Sequence, residues 1–100
     1  MSSIGTQLKV NIHIERLGEY KMSDIDFDCL FYVFPNRSIL LYKKDMIKAD
    51  DDNYVACIDS SKIGQGAVMV KVTAYIPDAD FEGGFRKEVE TVYTGITISR

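Results

Sequence analysis

The chain reads as an antiparallel β-sandwich, and three observations predict it. Apolar residues recur with a period of two in one segment after another, as half-buried strands require. Turn residues separate those segments roughly every 8–12 positions. No apolar period of about 3.6 persists for three turns, so no long helix is expected. About six or seven short strands within 100 residues describe a sandwich. A small closed barrel is the rival architecture.

The first strand is "LKVNIHIE", residues 8–15, with Leu8, Val10, Ile12 and Ile14 on one face and Lys9, Asn11, His13 and Glu15 on the other. "LGEYKMS" turns the chain. "DIDFDCLFYVF" resumes the alternation with Ile25, Phe27, Cys29, Phe31 and Val33 inward. Pro35 and Asn36 end it, because proline cannot donate to a ladder and Asn tolerates turn geometry. "SILLYKK" is a third strand, "DMIKADDDN" a short edge element or loop, and "YVACID" a further strand. "SSKIGQG" supplies a turn with one helical turn around Ser60–Ile63. "AVMVKVTAYI" is the strongest strand, with Val68, Val70, Val72, Ala74 and Ile76 on one face. "RKEVETVYTGITIS" closes the chain as one or two strands around Gly95.

With 46% hydrophobic and 27% charged residues the composition is that of an ordinary globular protein. One hundred residues make one domain, and the stop at Arg100 directly after "GITIS" suits either a complete protein or the N-terminal domain of a longer one. The net charge of −3 gives no electrostatic footprint for nucleic acid. Lys43, Lys44 and Lys48 cluster, but Asp45 and Asp50, Asp51 and Asp52 lie among and beside them, which reads as a solvated surface. "MSSIGTQLKV" lacks the basic and apolar regions of a secretory signal, which points to cytoplasmic synthesis, and no apolar run reaches about 18 residues. Cys29 and Cys57 each lie in an apolar run and read as reduced, buried small hydrophobes; a disulfide between them cannot be inferred from sequence.

The acidic stretch "PDADFEGGFRKEVE", residues 77–90, invites a calcium reading. Asp78, Asp80 and Glu82 occupy the first, third and fifth positions of an EF-hand loop, and Gly83 the sixth. The twelfth is Val89, which cannot ligate, and strands rather than helices flank the loop. A hairpin tip explains the same residues: Asp78 and Asp80 bond their own backbone, and Gly83 and Gly84 supply positive φ for the return. Phe81 and Phe85 are unusual at such a tip; they either cap the core or meet a partner. "IGQGAVM" places Met69 where a dinucleotide fingerprint needs Gly or Ala and precedes a strand, so Gly64 and Gly66 belong to a turn. His13 is the only histidine, and alternation puts it outward with no triad partner. One histidine and two cysteines give no zinc spacing. No catalytic residue, metal ligand or cofactor site is named, and an enzyme is not expected.

Asp24, Asp26 and Asp28 share one strand face roughly 7 Å apart, facing solvent or lysines such as Lys71; a docking or cation surface is the alternative. Leu30, Tyr32 and Phe34 follow them on that face, so "CLFYVF" is apolar on both sides. An outward apolar patch on a small domain needs a cover. With Phe81 and Phe85, these residues form the candidate interaction surface, for protein partners or self-association and not for nucleic acid or membrane.

The pattern "FYV…ILLYKKDMI…DDDNYVACIDSSKIGQGAVMVKVTAYIPDADFEGG.RKEVETVYTGITI" resembles the immunoglobulin-like β-sandwich domains of phage-type baseplate and tail-fibre proteins, found in prophages and mobile elements of gut bacteria. The resemblance covers about residues 24–98, with the "IPDADF" hairpin and the "D…SSKIGQG" turn as its more distinctive parts. It implies an immunoglobulin-like sandwich of about seven strands and a non-enzymatic structural module, assembled in the cytoplasm into a virion-associated particle. The alternative is a carbohydrate- or cation-binding sandwich using the acids of residues 50–52 and 78–82 with Phe81, Phe85 and Tyr54 for stacking.

Overall fold

The architecture is an antiparallel sandwich of two sheets, seen in a computed structural model that describes residues 2–3, 7–15, 17–34 and 37–99. The strands are β1 (Ser2–Ser3), β2 (Gln7–Ile12), β3 (Asp26–Tyr32), β4 (Ser38–Tyr42), β5 (Ile47–Asp50), β6 (Asn53–Asp59), β7 (Gly66–Pro77) and β8 (Phe85–Ser99). One sheet has the order β2-β6-β5 and the other β1-β8-β7-β3-β4. Seven strands are substantial; β1 is a two-residue parallel pairing along the end of β8. In immunoglobulin terms β2, β6 and β5 stand where strands B, E and D do, and β3, β4, β7 and β8 where C, C′, F and G do. Strand A, which flanks B in that fold, has no counterpart beside β2 among the described residues.

Alternation builds the core as expected. Ile25, Phe27, Cys29, Phe31 and Val33 are all buried, as are Val68, Val70, Ala74 and Ile76, while Val72 is half-buried. There is no tryptophan at the centre. Phe27 fills it instead, meeting Tyr54 edge to face with ring centroids 5.1 Å apart. Leu8, Val10 and Ile12 of β2 pack from the opposite sheet together with Ala56 and Ile58 of β6. The first strand ends at Ile12, so His13 to Glu15 run on outside the ladder.

Short 3-10 turns join several strands. Asp24 and Asp45 each reach back three residues, accepting from the backbone N–H of Lys21 and Tyr42 at 3.0 Å. Between β6 and β7, Asp59 accepts from the backbone N–H and the hydroxyl of Ser61 (3.0 and 2.8 Å), and Ile63 drops fully into the core. Gly66 then passes so close to Val33 that a Cβ would lie 2.6 Å from its Cγ1, at a φ of +132°. Only glycine fits there.

β7 and β8 form a long hairpin whose register runs from Pro77 opposite Phe85 back to Gly66 opposite Ile98. The pairing shifts between Ala67 and Met69, where β8 carries extra residues around Gly95. Thr94 organises that bulge: its hydroxyl donates to the Val68 carbonyl (2.8 Å) and accepts from the Ile96 N–H (3.2 Å). The closing segment is therefore one bulged strand. The stop read at Pro35 and Asn36 lies outside the described residues.

Candidate interaction surface

Register places the residues of the outer face of the larger sheet. Tyr32 on β3 lies opposite Met69 on β7, which lies opposite Tyr93 on β8. In the next row Leu40 of β4 faces Leu30 of β3, and Lys71 continues the row on β7. Tyr42 follows opposite Asp28. Leu30, Tyr32, Leu40, Tyr42, Met69 and Tyr93 thus make a band across all four strands. Tyr93 is 51% exposed, Tyr42 49% and Leu40 45%, so the band is open to contact.

Of the residues expected on this surface, Leu30 and Tyr32 lie in the band, half-buried by their neighbours. Phe34 is 85% exposed but sits in the turn after β3, off the sheet. Phe81 and Phe85 lie far along the β7–β8 hairpin and are 51% and 56% exposed. They do not cap the core. The expected set is therefore not one patch: two members join the band, and three stand apart from it. Sequence reasoning misses Leu40, Tyr42, Met69 and Tyr93, although "SILLY" carries the same signal as "CLFYVF", apolar residues on both phases of the alternation.

The aspartates need correction. Asp24 belongs to a 3-10 turn, not to the strand face. Asp26 lies opposite Tyr75 and Asp28 opposite Thr73, while Lys71 is opposite Leu30. Asp28 accepts a hydrogen bond of 2.9 Å from the Tyr75 hydroxyl, and this bond heads the causes that raise the Tyr75 pKa. The lysine cluster also divides. Lys48 pairs with Asp51 at 2.9 Å, but Lys43 folds inward. Its ammonium donates to the carbonyls of Ser23 (3.0 Å) and Ile25 (2.7 Å), lying 5.9 Å from the Phe27 ring centre and 5.7 Å from that of Tyr54.

The acidic loops are occupied by their own turns. Asp78 accepts from the Asp80 N–H (3.1 Å) and lies 3.5 Å from Arg86; Gly83 and Gly84 take the positive φ of the return. Asp50 accepts from the Asp52 N–H (2.8 Å) and from the Asn53 amide, whose bond is the first cause holding its carboxyl below the usual range. Among the described residues no three His, Cys, Asp or Glu side chains converge as metal ligands. Tyr54 is buried in the core, which removes it from any glycan-stacking set. His13 Nδ1 meets the Asp52 carbonyl at 2.9 Å rather than a nucleophile. Cys29 is buried, but Cys57 is exposed, because Tyr54, Ala56 and Ile58 take the inward phase of β6 and leave Cys57 outward opposite Lys9.

The second feature is an open groove of about 480 Å³ beside the edge of β8. His13, Ile14 and Glu15 form one wall and Glu88, Glu90 and Val92 of β8 the other, with Val72 and Ala74 at its base. The β8 edge beside it is unpaired among the described residues from Phe85 to Ile96, since β1 reaches only Ile98 and Ser99. No helix among the described residues is long and apolar enough to cross a membrane. Comparison with family models, curated proteins and solved structures finds no match to the chain.

Proposed function

We propose that this chain is a non-enzymatic structural and interaction module that works by contact through the outer face of its larger sheet. The observation that supports it is the band of Leu30, Tyr32, Leu40, Tyr42, Met69 and Tyr93, continuous in register across four strands. Solvated sheet faces are ordinarily polar, and a contiguous apolar band is what a docking face requires. Tyrosines at three places suit it to a partner, since each supplies a large apolar area with a polar tip. Within this class, the resemblance of "SSKIGQGAVMVKVTAYIPDADF" to phage-type sandwiches supports a tail or baseplate component that takes its place in a virion.

Co-expression with the proteins encoded on either side of its gene tests the reading. The wild-type chain is expected to co-purify with at least one of them. The double variant Leu40→Glu/Tyr42→Glu is expected to fold with an unchanged far-UV spectrum and to lose that partner. A wild-type chain that emerges alone, or a partner retained by the double variant, overturns it.

A further inference from the structure

We propose that the free edge of β8 joins a second copy of this chain, antiparallel, about a two-fold axis at Glu88. This rests on the reading of the chain as a contact module and names one partner, a second copy. Four of the nine large hydrophobics exposed among the described residues, Phe85, Val89, Val92 and Tyr93, lie on this one strand. Among the described residues, its backbone N–H and C=O groups are unpaired on the outer side from Phe85 to Ile96. A long, apolar, open edge is a template for strand addition.

The charges of the strand say which strand it fits. Arg86 and Lys87 precede Glu88 and Glu90, so basic and acidic ends are separated along its length. A parallel, in-register neighbour would set like charge against like. An antiparallel copy sets each basic end beside the other's acidic one. With Glu88 on the axis, Arg86 of each copy stands opposite Glu90 of the other. Glu90 has no basic partner among the described residues and faces the groove. On the other face of the strand, Phe85 falls diagonally between Val89 and Tyr93 of the second copy, within reach of an aromatic ring. The two Glu88 carboxylates meet at the axis, but each has its own Arg86, Nε to Oε1 at 3.0 Å. That Arg86 Nε is buried and off the line of a hydrogen bond to Glu88.

The joint adds main-chain bonds along residues 85–91 and closes the groove side with two ion pairs. It buries less than the roughly 1,200 Å² of a standard interface, so it forms a weak, concentration-dependent dimer. β1 lies beyond the paired stretch and does not obstruct it.

Sedimentation equilibrium of the isolated 100-residue chain over a range of concentrations tests this. The wild type is expected to pass from monomer to dimer. Glu90→Arg, at a side chain with no basic partner among the described residues, is expected to weaken the dimer at least about tenfold, and Arg86→Glu likewise. The exchange Arg86→Glu/Glu90→Arg is expected to restore it. In a Cys57→Ser background, Glu88→Cys is expected to form a covalent dimer on mild oxidation. Facing residues of an antiparallel pair have Cα atoms about 4.5–5.5 Å apart, inside the disulfide range. Thr91→Cys is expected to remain uncross-linked. A wild type that is monomeric at every concentration overturns the proposal, as does a dimer indifferent to Glu90→Arg or a Glu88→Cys chain that does not cross-link. Partner co-purification judges the contact-module reading separately, because it depends on Leu40 and Tyr42 rather than on the β8 edge.

Discussion

Burial raises the Cys29 thiol from an ordinary value of 9.0 to about 12, with the Asp28 carboxylate adding to the effect. A raised acid favours the folded state while it remains protonated. Its stabilisation is therefore complete below pH about 9, where the unfolded thiol begins to ionise, and declines as the pH rises towards 12. The loss approaches about 1.4 kcal/mol per pH unit for a single proton. Stability measured by urea unfolding is expected to show this alkaline slope, and Cys29→Ala to flatten it. A thiol reagent is expected to label exposed Cys57 at once and Cys29 only when the chain unfolds. In the sequence the two cysteines look alike, because each stands in an apolar run. The phase of the alternation separates them: Cys29 shares the inward phase with Phe27 and Phe31, and Cys57 opposes the inward phase of Ala56 and Ile58.

Among the elements, β8 shows how one side chain can hold an irregular strand together. Thr94 binds both the facing strand and its own, so Thr94→Val removes two hydrogen bonds and leaves the Ile96 N–H without its acceptor. The cost is about 1–3 kcal/mol, or a fall in Tm on the order of 10 °C for a domain of this size. Thr94→Ser keeps the hydroxyl and is expected to lose much less; calorimetry on both variants distinguishes hydroxyl from methyl. The glycine at position 95 announces an interruption in the sequence, and the structure makes it a bulge within one strand. Strand positions are legible because burial on one face enforces a period of two. Lys43 is not legible, since its role comes from Ser23 and Ile25, carbonyls some twenty residues earlier in the chain. Nor is the face of β4, because the partner that makes Leu40 a neighbour of Leu30 is set by register and not by local pattern.

At the scale of the whole molecule, the chain measures 47 × 27 × 19 Å. The expected sandwich is the fold found, and the closed barrel is not: among the described residues both sheets keep free edges, at β2 and β5 in one and at β4 and most of β8 in the other. Whether a sheet closes on itself depends on which strands meet, a property of distant pairs that no single segment declares. The candidate surface is half legible for the same reason. "CLFYVF" reveals that β3 is apolar on both faces, but the band requires β4, β7 and β8 to be laid beside it.

The pairing of β2 with β6 has a kinetic consequence. β3 meets β4 and β7 meets β8 through near neighbours in the chain, but Leu8 must find Ile58 and Ile12 must find Tyr54 across a large loop, as Asp26 must find Tyr75 in the β3–β7 pair. The chain must close that large loop before β2 gains anything by docking, and the entropic cost is met in the rate-limiting ascent. Refolding followed by stopped-flow tyrosine fluorescence is expected on a timescale of roughly milliseconds to seconds. Ile12→Val, at the end of β2, is expected to hasten unfolding while leaving the refolding rate nearly unchanged, the mark of a strand that arrives last.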